Sequence, residues 1–191
     1  MQQKEVEIFY PANRAAWRKW LETNHLSSQA VWLIFYTKKS GKSTITWAEA
    51  VEEALCYGWI DSKKVKIDEE KAHQFFSKRK PKSTWSKINK AKVQQLIADG
   101  RMTAAGLQII ETAQQNGSWN LLDSVEELVI PEDLEAAFAT HPTAKDFFLR
   151  LSKSARKVLL QGLVLAKRPE TRQKRITEIV DLANQKQKPR P

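Results

Sequence analysis

The chain has 191 residues, 41% hydrophobic and 28% charged, with seven Trp and seven Phe, a composition that excludes a disordered chain and can bury a core unaided by metal or disulfide. Its 32 Lys and Arg outnumber 22 Asp and Glu for a formal charge of +10, a field that attracts nucleic acid, anionic lipid or acidic partners. The single cysteine, Cys56, excludes an internal disulfide and any multi-cysteine metal site, and fits a reducing compartment.

The opening MQQKEVEIF lacks the basic and apolar regions of a signal peptide. No apolar run nears the roughly 18 residues of a bilayer span, so a cytoplasmic protein without a transmembrane segment is expected. Pro11 suits a first helical turn, and Trp17, Trp20, Leu21 and His25 supply an amphipathic face to about residue 25. Residues 30–37, AVWLIFYT, read as a strand that stops at Ser40-Gly41. Thr46 with Glu49 forms a capping box for a helix whose stripe is Trp47, Ala50, Val51, Ala54 and Leu55, with Gly58 at its C-terminal end. Residues 59–67 predict a strand with Trp59, Asp61, Lys63, Val65 and Ile67 on one face, and Asp68-Glu69-Glu70 turns it into a second strand around residues 73–79.

Pro81 closes this hairpin. Residues 83–98 predict a helix with Ile88, Val93, Leu96 and Ile97 apolar, ended by Gly100, and Thr103 caps another through Leu107, Ile109 and Ile110 to Gln115-Asn116-Gly117. After a connector to Pro131, four helices are expected over 131–140, 142–151, 154–168 and 169–185, then a solvated tail over 185–191. The expected fold is therefore α+β, a small antiparallel sheet covered by helices over residues 1–120, followed by an all-helical domain over 121–191.

Between Lys71 and Ala98 stand eight Lys or Arg and no acid, with Phe75, Phe76 and Trp85 interleaved. Cations neutralise phosphates while aromatics stack on bases, so this mixture suits nucleic acid or a nucleotide; the competing reading is a core of rings beneath solvated lysines. Asp61 points to the buried side of its strand and needs a cation or backbone donors, with Arg79 the natural partner. Arg172 falls on the apolar stripe of the last helix and must snorkel, line an anion site or pair with the front domain. Cys56 lies opposite its helix's apolar stripe among Glu49, Glu52 and Glu53, which oppose a thiolate. His25, His73 and His141 are too scattered to suggest a metal. Neither GxGxxG nor GxxxxGK[ST] nor GxSxG occurs, so no cofactor is expected.

The stretch Phe76-Ser77-x-Arg79-x-Pro81-Lys82-Ser83-x-Trp85-Ser86-x-Ile88-Asn89 follows Ala54-Leu55-Cys56-Tyr57-Gly58-Trp59-Ile60-Asp61. With the later Ala166-Lys167-Arg168-Pro169-Glu170-Thr171-Arg172 and Arg175-Ile176, it resembles the bacterial YdeI/OmpD-associated proteins, also labelled bacteriocin-protection proteins. The resemblance implies this family's fold and places its motifs; its label points to envelope stress or a porin. The expected function is a non-catalytic binding protein for a polyanion or phosphorylated ligand. Its expected site is Asp61, Arg79, Lys80, Lys82, Ser83, Trp85, Ser86, Asn89 and Arg172, in a groove between the two domains. The alternatives are an enzyme on a small anionic substrate with Asp61 as acid or base, and a stress-related protein meeting an acidic protein or membrane surface.

Overall fold

The computed structural model describes residues 6–187; the first five residues, and the part of the expected solvated tail beyond residue 187, lie outside them. Packing divides the chain into two units, one ending at Trp119 and one beginning at Asn120.

In the first unit, helix α1 (Arg14–Asn24) starts three residues after Pro11 because the Asn13 side chain accepts from the Ala16 amide at 2.9 Å and satisfies one of the orphan donors of the first turn. Trp17, Trp20 and Leu21 are buried along it. Strand β2 (Ala30–Tyr36) leads to α2 (Trp47–Cys56). The capping box is formed: Thr46 accepts from the Glu49 amide, and the Glu49 carboxylate accepts from the Thr46 amide at 2.9 Å. Ala50, Val51, Ala54 and Leu55 are buried as the stripe requires, but Trp47 is 52% exposed. It is the first residue of α2, so its indole overhangs the core's rim.

The sheet is a small mixed one in the order β1 (Ile8–Phe9), β2, β4 (Lys71–Lys78) and β3 (Trp59–Lys66). Strands β3 (Trp59–Lys66) and β4 (Lys71–Lys78) make the expected hairpin, whose turn is fixed by Asp68 accepting from the amides of Glu70 and Lys71. Strand β2 joins β4 antiparallel, and the short strand β1 (Ile8–Phe9) adds a parallel edge beside β2. Two residues carry too little periodicity to be read as a strand.

One face of the sheet carries Val31, Leu33, Phe76 and Trp59 into the core, where α1 meets it through Trp17 against Phe76 and Trp20 against Trp59. The expectation that Asp61, Val65 and Ile67 share a face is corrected by an irregularity in β3 between Asp61 and Lys64. An extra residue reverses side-chain parity. Asp61 thus stands opposite Phe76 while Val65 stands opposite His73, and Val65 and Ile67 are 41% and 46% exposed.

Helix α3 (Lys87–Ala98) buries only Val93 and Leu96, whereas Ile88 and Ile97 are exposed. Helix α4 (Ala104–Gln115), capped by Thr103, passes so close to the end of α2 that a Cβ on Gly106 would lie 2.3 Å from the Cys56 carbonyl oxygen.

In the second unit the connector contains a single turn, α5 (Asp123–Glu126). Four helices follow: α6 (Glu132–Ala139), α7 (Pro142–Arg150), α8 (Lys153–Val164) and α9 (Pro169–Asn184). Their stripes meet in a core that includes Leu134, Phe138, Phe148, Leu160, Leu163, Ile176 and Ile179. Among the described residues no helix is long and apolar enough to cross a membrane.

Candidate functional site

Arg79 is the most constrained of the residues singled out from the sequence. Its amide donates to the Gly58 carbonyl, and its side chain is buried at 4% exposure with the guanidinium 3.7 Å from the Trp85 ring centroid. Nη1 donates to the Thr84 carbonyl at 2.7 Å, while Nε has no hydrogen-bond partner. Burial pushes the Arg79 pKa down to about 10, against the opposing field of Asp61. On Trp85 lies Trp119 at 4.8 Å, and Lys90 sits 5.3 Å over Trp119. Cations at both ends of two rings replace part of their lost hydration with π faces.

Trp85 is only 2% exposed inside this column, which corrects its expected role as a base-stacking platform: its ring already contacts Arg79 and Trp119. The expected ion pair between Asp61 and Arg79 is not formed either. Arg79 lies beyond the end of β4 and turns onto Trp85, whereas Asp61 faces Phe76 three residues earlier. Asp61 is half-buried, and its partners are neutral donors, Trp47 Nε1 at 2.9 Å and Gln74 Nε2 at 3.2 Å.

The rest of the motif divides by task. The Ser86 hydroxyl caps α3 by accepting from the Asn89 amide, and the Ser83 amide donates to the Lys80 carbonyl in a turn. Asn116 and Ser118 both donate to the Pro81 carbonyl and hold this loop down. Lys80 and Lys82 are exposed. Arg172 donates through Nε and Nη2 to both oxygens of Asp133 at 2.5 and 2.9 Å, and through Nη1 to the Leu163 carbonyl. Its carboxylate therefore comes from its own helical unit, and the expected pairing with the front domain is corrected.

Cys56 is not on an exposed face; it is fully buried, and burial together with Glu53 pushes its thiol pKa up. Among the described residues no group of three or more His, Cys, Asp and Glu is placed to hold a metal ion.

Two arrangements escaped the sequence reading. The first is the sheet face opposite the core. Register sets Trp32 opposite Phe75, Ile34 opposite His73 and Tyr36 opposite Lys71. Trp32 and Phe75 meet edge to face at 4.9 Å, and Lys63 Nζ lies 5.2 and 5.6 Å above their respective rings. Further along, Lys42 Nζ lies 4.5 Å over Tyr36. Trp32, Ile34 and Phe75 are half-buried and stand outside the hydrophobic core. Burial and the neighbouring Lys71 push the His73 pKa down, which favours the neutral imidazole. Among the described residues Lys63 and Lys64 have no carboxylate partner, whereas Lys66 pairs with Glu69 and Lys71 with Asp68 at the hairpin tip.

The second arrangement is a polar hub on the helical side. Glu53, on α2, is 1% exposed and accepts from three arginines: Arg14 Nε at 2.5 Å, Arg18 Nη1 at 2.8 Å, and Arg101 Nη2. Beside it, Glu52 accepts from Arg14 and from Lys92 Nζ at 3.0 Å. The sequence held one signal for this hub: Glu53 falls between Ala50 and Tyr57, at helical spacing on the inward side of α2.

Residues 127–186 match the family model described as "Bacteriocin-protection, YdeI or OmpD-Associated", and residues 9–109 match one described as "Domain of unknown function (DUF8412)". No curated protein and no solved structure matches the chain. The match over residues 127–186 contains the late motif around Ala166 to Arg172, and the match over residues 9–109 contains both front motifs. The chain therefore belongs to the family described as DUF8412, whose domain forms most of its first unit, and its helical unit carries a domain of the YdeI/OmpD-associated, bacteriocin-protection family.

Proposed function

We propose that this chain is a non-catalytic binding protein for a polyanion, with single-stranded nucleic acid as the ligand and the outer sheet face as the platform. The observation that carries the reading is the Trp32–Phe75 ring pair lying outside the core beneath Lys63. Half-buried rings outside the core can stack on a base, and a lysine above them can exchange its π contact for a phosphate as the base arrives. Tyr36 with Lys42 repeats the combination four residues along β2, about 13 Å away at strand rise, so one extended ligand can engage both. The formal charge of +10 steers an anionic strand toward this surface. Lys80 and Lys82, exposed at the end of β4, add further phosphate contacts.

Titration of a single-stranded oligonucleotide at two salt concentrations tests this. Affinity should fall with salt at a log–log slope of about −0.7 per phosphate contact. Trp32→Ala and Phe75→Ala should each lose about 1–3 kcal/mol of binding with the melting temperature nearly unchanged. Equal binding by both variants would remove the sheet face from the function.

A further inference from the structure

We infer that the hub of Arg14, Arg18, Lys92 and Arg101 is a second, separate binding site, for a small phosphomonoester. Glu53 holds the arginines in place and leaves part of their hydrogen-bonding capacity over. A carboxylate buried to 1% exposure at the meeting point of α1, α2 and the loop before α4 acts as an internal anchor. It fixes three guanidiniums from the inside, while their outer edges stay in reach of solvent. The arginine side chains remain 29–37% exposed and that of Lys92 21%.

Donors exceed acceptors at this hub. Each guanidinium has five N–H groups in a fixed fork. Arg14 uses one nitrogen on Glu53 and one on Glu52, Arg18 one on Glu53 and one on the Arg101 carbonyl, and Arg101 one on Glu53. Of the rest, Arg101 Nη1 lies 3.8 Å from Glu52, beyond hydrogen-bond range. Charge is unbalanced in the same direction. Four cations meet two carboxylates at contact range, an excess of two.

The acids farther out do not remove this excess. Glu49, within the field of Arg14, already accepts from Thr46, and Glu22, within the field of Arg18, is paired by Lys19. Counting Glu49 in full still leaves one positive charge over. A phosphomonoester carries about 1.5 to 2 negative charges at neutral pH and three strong acceptor oxygens, so it matches both the excess charge and the spare forks. A monocarboxylate would match the fork and leave part of the charge uncompensated. Arginines already held in place lose little freedom on binding, which is why the anchor matters.

The hub is independent of the nucleic-acid platform. It is built on α1 and α2, the helices on the inward side of the sheet, whereas Trp32 and Phe75 stand on the opposite face. The Tyr57 ring, with the Arg18 guanidinium 5.5 Å above it, borders the same cluster. No bond is made or broken in this proposal. The nearby Cys56 thiol is buried, raised in pKa, and takes no part.

Isothermal titration of the full chain at low salt with phenyl phosphate, inorganic phosphate and acetate tests the site. Phenyl phosphate and inorganic phosphate should compete for one site per chain, with acetate at least tenfold weaker. Arg18→Gln and Arg101→Gln should each weaken phenyl phosphate about tenfold, the loss expected for one charge-assisted hydrogen bond. Arg18→Lys keeps the charge and loses the fork; it should remain folded by circular dichroism and still bind several-fold more weakly. The Trp32→Ala/Phe75→Ala double variant should bind phenyl phosphate as the wild type does. Retained oligonucleotide binding with no saturable phosphate binding overturns the hub site alone, and so does wild-type phosphate affinity in a folded Arg18→Lys protein. Loss of phosphate binding in the double variant would also overturn it, by placing the phosphates on the sheet face.

Discussion

The two units bury different things. Every buried polar or charged residue among those described, namely Glu53, Gln74, Arg79 and Ser118, lies in the first unit, while the buried residues of the second are all apolar. The second unit leaves its ion pairs outside, as with Arg172 and Asp133 at 31% and 40% exposure. The difference separates two ways of specifying a fold. Apolar stripes at helical spacing specify the helical unit and tolerate exchange among similar side chains. The first unit also depends on polar groups whose desolvation is compensated only in one geometry.

Substitutions that exchange these roles test the contrast. The largest effect is expected in the apolar unit: Phe138→Ala removes a ring that is 1% exposed and packed on Phe148 at 5.3 Å, and should cost about 3–5 kcal/mol through lost burial and a cavity. Urea unfolding monitored by hydrogen exchange in α6, α7 and α9 measures it. Glu53→Gln is the counterpart in the polar unit. It leaves three arginines facing a neutral amide, and since those arginines are partly wet the loss should lie near the lower end for a broken buried pair, about 3 kcal/mol. A change below 0.5 kcal/mol, roughly the scale of ordinary surface substitutions, would make the hub a surface ornament and erase the distinction between the units.

Gly106→Ala should cost about 1–3 kcal/mol by overpacking, because its Cβ would meet the Cys56 carbonyl oxygen and carbon at 2.3 and 2.8 Å, both backbone atoms that cannot swing aside. Arg172→Ala should cost about 0–1 kcal/mol, since its pair is exposed. That small term has a signature in pH. Hydrogen bonds from Arg172 hold the Asp133 carboxyl below its ordinary value of 3.8. The native state therefore binds this proton more weakly than the unfolded chain does, and the contribution is complete above about 3.8 and fades as pH falls through the lower folded value. The difference between wild type and Arg172→Ala should shrink across that acid window; a constant difference would assign the effect to lost packing.

The recognition of the family and the α+β front with a helical back were legible in the residues, as were the hairpin and the Thr46 capping box. Caps, glycine breaks and apolar periodicity are local, and they act through neighbours within four residues. The motif around Trp85 was legible as a motif but not as a task. Whether a tryptophan faces a base or an arginine depends on Trp119, thirty-four residues later, and on a loop held by Asn116 and Ser118. Strand parity misplaced Val65 and Ile67 because an irregularity between Asp61 and Lys64 leaves no mark in composition.

Apart from β1 and α5, the sequence by itself determined the elements, their order and the excess of positive charge, since each follows from residue type and short spacing. Only the tertiary structure decided which charges are buried and which rings stand outside the core. Glu53 meets Arg14, Arg18 and Arg101 from 39, 35 and 48 residues away. Trp32 meets Phe75 and Lys63 through a strand register that neither segment sets alone. Interactions of that kind are fixed by packing between distant elements, and the energy that selects them is desolvation, which no local pattern records.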